Sequence, residues 1–477
     1  MFFNSLEYAL FLPIVFFLFW LVFYRSFRAQ NILLLVASYV FYSWWDWRFL
    51  FLLVFSTGLD FYTGIKISDS KNPKERRFWF WLSIIVNLGF LGVFKYYNFF
   101  IESFASGLSL MGVQSNFWSL KIILPVGISF YTFHGLSYVI DIYNNKIKSE
   151  RNFVDYSLFV SFFPLLVAGP IERATHLLPQ IKEKRIFNYD KAKDGLRQIL
   201  WGLFKKIVIA DNCAGIVNEI FANSETASGS TLALGTVYFA FQIYGDFSGY
   251  SDIALGTARL FGYELLQNFK FPYFSRSIAE FWRRWHISLS SWFKDYLYIP
   301  LGGSKGSLQL SIRNTFIIFL VSGFWHGASW NFIIWGFLHA LFFLPLLLLK
   351  KTRQKTEIAG ENTILPSIVE TIQILFTFSL VCLAWIFFRA KNLTEAIIYV
   401  KNIFGPSLLS KPNASILPLG LIMMLIIPEW IQRKKNHPLQ IDFIRFSFVR
   451  WGIYIMLCFS ILFLSKSETF EFIYFQF

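Results

Sequence analysis

Six of the 477 residues are histidine, and one of them lies deep in a long apolar run. His326 sits in Ser322-Gly323-Phe324-Trp325-His326-Gly327-Ala328-Ser329-Trp330-Asn331. An imidazole titrates near pH 6.5 and can take a hydroxyl proton at neutral pH, so its natural chemistry is general acid–base. A lone histidine on a membrane helix is costly to keep, which makes it a functional candidate, with helix packing as the alternative. Gly323 and Gly327 flank it and are expected to clear room for a substrate, while Trp325 and Asn331 complete its surroundings. His339 follows 13 residues later, roughly 20 Å along an unbroken helix. The two cannot share a ligand shell unless the helix breaks between them, so the histidine spacing gives no metal site.

Two further regions keep polar residues beside apolar ones. Gly245 to Asp252 places Asp246, Ser248, Ser251 and Asp252 inside the apolar stretch Leu232 to Leu255. Carboxylates at that depth cost several kcal/mol unless they are hydrogen-bonded or wet. They form either a cavity wall or a structural hydrogen-bond knot, and Gly245 and Gly249 also permit close helix packing. From Ile278 to Pro300, Trp282, Trp285, Leu289, Trp292 and Tyr296 recur at three- and four-residue steps. This predicts one helix with an apolar face and with Arg283, His286 and Ser290 along another, ended by Pro300 and Gly302-Gly303. Such a helix belongs in the interface plane or at a cavity floor. His286 lines a tunnel there or is a hydrogen-bonded structural histidine. His134, His176 and His437 have no supporting neighbours in the sequence. Cys213, Cys382 and Cys458 lie far apart in apolar stretches and read as buried, inert thiols.

The elements that position these residues follow from composition. With 55% hydrophobic, 21% aromatic and only 15% charged residues and a mean hydropathy of +0.50, a soluble globular protein is excluded. The net charge of +15 comes from short basic clusters between apolar runs, the pattern of cytoplasmic loops and not of a nucleic-acid binder. Candidate spans run from Leu6–Tyr24 through 31–42, 49–65, 78–97, 122–140, 198–216, 232–255, 314–334, 335–349, 368–388 and 416–430 to 449–464, about 11 to 13 crossings of ~20 residues each. Leu6–Tyr24 lacks a basic flank before it and a cleavage site after it, so it reads as a retained span with its N-terminus outside. Arg25, Arg28, Lys66–Arg77, the basic block Lys182–Lys206 and Lys350–Lys355 are expected inside, and the Trp44–Trp47 turn outside. Phe153–Ile171, with Pro164 and Ala168-Gly169-Pro170 within it, reads as a re-entrant piece or as two short helices packed in protein. Lys350–Glu361 is expected to be a disordered loop. The fold class is therefore an all-α polytopic membrane protein with a single domain over residues 1–477 and a core of about residues 120–350.

Leu166 to Ile171, Asp246 to Gly256, the long block Asn268 to Gly303, Phe324 to Gly336 with His339, and Phe472 to Phe477 resemble the membrane-bound O-acyltransferase (MBOAT) family, in its bacterial alginate O-acetyltransferase branch. The resemblance covers almost the whole chain, and the block around His286 is its most specific part. It implies that His326 is the catalytic histidine, buried between two funnels, that His339 is the second characteristic one, and that His286 belongs to the cytoplasmic access route. Arg283, Asp246, Ser248, Asp252, Ser290, Trp325 and Asn331 are then tunnel or supporting residues.

The implied reaction transfers an acyl group, acetyl above all, from acetyl-CoA or another cytoplasmic thioester toward acceptors outside. No cofactor or metal is expected to be bound. His326 takes the hydroxyl proton and the oxygen attacks the thioester carbonyl. The implied setting is the bacterial inner membrane, with lipid around the chain, a polysaccharide such as alginate as final acceptor, and a separate extracytoplasmic acyltransferase as partner. D-alanyl transfer to teichoic acid and peptidoglycan O-acetylation are alternatives within the fold. A transporter or lipid flippase is the alternative outside enzymes, though the paired inverted repeats it calls for are not visible.

Overall fold

The computed structural model describes residues 1–113, 123–167, 169–351, 358–361, 363–466 and 472–473. Among them every regular element is helical. The chain divides into two compact units: residues 1–192 with 257–266, and residues 193–256 with 267–477.

The first unit contains α1 (Leu6–Phe17), α2 (Phe27–Asp46), α3 (Arg48–Asp69), α4 (Pro73–Leu91), α5 (Tyr97–Leu110), α6 (Ile128–Tyr143), α7 (Phe153–Ser161), α8 (Phe163–Leu166) and α9 (Ala174–Lys182). Ser5, Ser26 and Asn72 cap α1, α2 and α4 by accepting from backbone N–H groups of the first turn. A π-helical turn at Gly92–Tyr96 joins α4 to α5. The exposed indoles of Trp44 and Trp47 flank the tight α2–α3 turn, as expected of an aromatic belt. Phe153–Leu166 is interrupted at Phe162 into α7 and the one-turn α8, and both are buried almost throughout. Ala168, within the same stretch, lies outside the described residues.

The second unit holds α10 (Tyr189–Leu203, from Lys193 on), α11 (Asp211–Ala222), α12 (Gly229–Leu260, up to Gly256), α13 (Ile278–Trp282), α14 (Ile287–Phe293), α15 (Leu308–His326), α16 (Trp330–Leu348), α17 (Ile368–Arg389), α18 (Leu393–Ile403), α19 (Leu417–Ile431) and α20 (Ser447–Leu464). Among the described residues, six helices are long and apolar enough to cross a membrane: Arg48–Asp69, Pro73–Leu110, Leu308–His326, Trp330–Leu348, Ile368–Arg389 and Ser447–Leu464. Leu6–Val22 and Leu417–Ile431 are shorter apolar helices. With its apolar helices the chain is a multi-pass membrane protein.

Four expectations need correction. The break between the spans placed at 314–334 and 335–349 falls at Gly327–Ser329, because Ser329 adopts an extended backbone and caps α16 through the Asn331 N–H. Ile278–Pro300 is not one helix but α13, a turn, α14 and a π-helical turn at Lys294–Tyr298. Lys205 and Lys206, counted with the basic block expected inside, are buried. Cys458 is exposed on α20, whereas Cys213 and Cys382 are buried as expected. The loop expected at Lys350–Glu361 falls largely on residues 352–357, outside the described ones.

Candidate active site

His326 ends α15, and the three residues after it turn the chain back into α16, so the two helices pack as a hairpin. Their closeness depends on glycine. A Cβ on Gly323 would lie 2.1 Å from the Phe332 carbonyl oxygen, and one on Gly336 would lie 2.2 Å from that of Phe319. Gly327 likewise lies against the Phe332 ring. The expectation that Gly323 and Gly327 clear substrate space is therefore overturned: the space they leave is filled by α16. Asn331 donates to the Ala390 carbonyl oxygen at 2.7 Å, which ties the start of α16 to the end of α17.

The His326 imidazole is buried in an aromatic collar. Trp335 stands perpendicular to it at 5.0 Å between ring centres, and Phe388 of α17 at 5.5 Å. Trp385 stacks on Trp335 at 5.8 Å. Close-packed rings fix the orientation of a small side chain, and a dry setting strengthens any dipole that acts on it. Trp325, the expected neighbour, is only half-buried.

The nearest second imidazole is His286, with ring centres 6.4 Å apart. It lies in the turn between α13 and α14 and takes a left-handed backbone, φ 45°, a conformation that histidine adopts more readily than most residues. That turn separates residues expected on one face: Arg283 is exposed, Ser290 half-buried and His286 buried. Phe247 packs edge-on at 4.7 Å, and burial pushes the His286 pKa down to about 3. His286 Nδ1 is 3.2 Å from Asn268 Oδ1. His339 is also fully buried, but Trp335 contacts its ring at 4.9 Å as well as that of His326. Its Nδ1 accepts from Trp282 Nε1 at 3.2 Å, while its buried Nε2 makes no hydrogen bond.

The polar residues of α12 form mostly a knot. A π-helical turn at Phe204–Ala210 turns two consecutive lysines onto this helix. Lys205 Nζ lies 2.5 Å from Asp252 and donates to Ser248 at 2.8 Å. Lys206 Nζ bridges Asp211 and Asp246, each at 2.8 Å. The other Asp246 oxygen accepts from the Ile473 N–H. Gly245 and Gly249 let the backbones approach, since a Cβ on either would fall within 3 Å of a carbonyl oxygen. A cavity survives at one edge of the knot, lined by Lys205, Asp252, Asn268, Tyr244, Glu429 and His437 among others, with about 20 Å³ free, room for one water molecule. Asp252 is thus both a cavity wall and an ion-pair member, whereas Asp246 and Ser248 belong to the knot.

Of the remaining histidines, His134 and His437 have partners distant in the sequence, whereas that of His176 stands four residues before it. His134 Nε2 accepts from the Glu172 N–H, His176 pairs with Glu172 at 2.8 Å, and His437 pairs with Asp194 at 3.0 Å. Sequence reasoning missed Lys205, Asn268, Trp335 and Phe388. Lys205 carried a signal, a cation inside an apolar run, and Asn268 stood in the most specific motif block; the two aromatics carried none. Among the described residues, no group of three or more His, Cys, Asp or Glu side chains is placed to hold a metal ion.

Comparison with known proteins bears on this arrangement. The model of the membrane-bound O-acyltransferase family matches residues 143–388, a range that includes His286, His326 and His339. The chain is 38% identical over 440 residues to the probable alginate O-acetylase AlgI of Pseudomonas aeruginosa, covering 90% of this chain and 81% of that protein. It is 40% identical over 388 residues to the probable alginate O-acetylase AlgI of Azotobacter vinelandii, 81% and 74% of the two chains. To the peptidoglycan O-acetyltransferase of Helicobacter pylori it is 38% identical over 398 residues, 78% and 73%.

Proposed function

Because this chain belongs to the membrane-bound O-acyltransferase family and is an O-acyltransferase, we propose that His326 is its general base, acting in O-acetylation of an extracellular or periplasmic polysaccharide. The donor in this reading is acetyl-CoA or another cytoplasmic acyl thioester. The acceptor hydroxyl arrives from the opposite funnel, and the chain resides in the inner membrane with about 11 to 13 crossings. His326 takes the hydroxyl proton, the oxygen attacks the thioester carbonyl, the C–S bond breaks, and the proton passes to the departing thiolate, so no net proton is consumed.

The observation that carries this reading is the buried His326 ring with a second imidazole 6.4 Å away. Two directly hydrogen-bonded imidazoles stand roughly 5.3 Å apart between centres for an N···N distance of about 3 Å. At 6.4 Å the rings lie about an ångström beyond direct hydrogen-bonding distance, close enough for one small reacting group to contact both. His286, on this geometry, faces the reaction more closely than His339, which shapes the collar through Trp282 and Trp335.

The acceptor in this reading is an alginate-like polymer, with a peptidoglycan glycan as the alternative, since relatives named for each are 38% identical over 90% and 78% of this chain. A separate extracytoplasmic acyltransferase completes the transfer. His326→Ala protein in liposomes, supplied with labelled acetyl thioester, is expected to stay folded and to lose at least ~10²-fold in acetyl transfer. Activity near wild type in both His326→Ala and His326→Gln, at matched amounts of protein, overturns the assignment.

A further inference from the structure

We propose that Asn268 is a positioning residue that holds His286 in a single tautomer, with the proton on Nδ1 and the lone pair on Nε2. The inference rests on the reading of the His326–His286 pair given above and deepens it. Asn268 clamps the turn from both sides: its backbone carbonyl accepts from the Ile287 N–H at 2.9 Å, and its side-chain Oδ1 accepts from the Ser288 hydroxyl at 2.7 Å and the Ser288 N–H at 3.4 Å. A backbone N–H can only donate, so the amide oxygen and not the NH2 group faces Ser288. The amide Nδ2 is turned the other way, to Ser251 Oγ at 3.3 Å. The atom 3.2 Å from His286 Nδ1 is then the same oxygen, a pure acceptor, and Nδ1 must carry the hydrogen. A neutral imidazole has one N–H, which leaves Nε2 as the acceptor nitrogen.

Phe247 and Phe269 pack on the ring, and His326 is the titratable group across the gap. Lys205, Asp252, Glu429 and His437 share a small cavity with the far side of Asn268. A His286 with a fixed lone pair accepts a hydrogen bond from a hydroxyl or thiol lying between the two imidazoles; the opposite tautomer would present an N–H to the same atom.

Asn268→Asp keeps the acceptor oxygens that serve Ser288 and His286 but adds a negative charge against Nδ1, which favours the imidazolium. The acid limb of the kcat/KM profile is expected to move up by at least one pH unit, and the shift should vanish in the Asn268→Asp/His286→Gln double variant. The ¹⁵N spectrum of the full-length wild-type protein should show His286 protonated at Nδ1 and bare at Nε2. An unmoved acid limb in Asn268→Asp, or a bare Nδ1 in the wild type, overturns the inference. If instead His326→Ala remains active, the reading of the site fails, while the ¹⁵N result still decides the tautomer by itself.

Discussion

At the scale of single residues, burial controls what the imidazoles can do. His286 is enclosed by Phe247, Phe269 and the α13–α14 turn, and its charged form is disfavoured because burial takes the ring out of water. Its folded pKa of about 3 lies below the ordinary value of about 6.5. The folded state therefore holds this ring neutral, and the unfolded chain binds a proton more readily. The associated stability is fully present above pH 6.5 and is lost as pH falls from there toward 3, by about 1.4 kcal/mol per unit. Thermal unfolding in detergent at pH 7.5 and 5.0 should thus show wild type losing about 2 kcal/mol more than His286→Gln. Equal losses in both proteins would show that His286 is not held neutral.

At the scale of elements, the α15–α16 hairpin sets the position of His326 against Trp335. Gly323 and Gly336 bring the two backbones together, and no side chain can yield at a contact with a main-chain oxygen. Gly336→Ala must push the helices apart, at a cost of about 1–3 kcal/mol or more. Because His326 and Trp335 lie on opposite arms of the hairpin, acetyl transfer should fall together with the melting temperature. Gly452→Ala on α20, where an added Cβ meets nothing within 4 Å, should leave activity unchanged and the melting temperature equal or slightly higher, since alanine is the better helix former. A Gly336→Ala protein as stable and as active as the Gly452→Ala control would show that the close approach is dispensable.

At the scale of the whole molecule, a hydrated polymer and a collar of Phe and Trp rings are poorly matched. A glycan stripped of water to reach His326 would lose several kcal/mol for each polar group left unsatisfied, whereas a small hydroxyl carrier on a partner would lose little. Purified protein in liposomes, with acetyl thioester inside and polysaccharide outside, is expected to transfer little acetate until the extracytoplasmic acyltransferase is added. Efficient acetylation of the polymer by this chain alone would refute the two-stage scheme.

The composition by itself determined that the chain is helical and membrane-embedded, because a sequence so poor in charge cannot cover itself with water-facing side chains. His326 was legible as a candidate because an imidazole inside an apolar run needs a reason to persist, and the block around His286 was legible as a motif. Tertiary structure alone decided which groups meet. Helical periodicity relates residues a few positions apart, but Lys205 reaches Asp252, Asn268 reaches His286, and Phe388 reaches His326 across helices whose crossing points are not written in any local pattern. The break of the α13–α14 segment escaped for a related reason. A three- and four-residue aromatic rhythm predicts a continuous helix, whereas the Asn268 clamp and the left-handed His286 stop it after five residues. The flanking glycines likewise read as open space in the sequence until a second helix was seen to fill it.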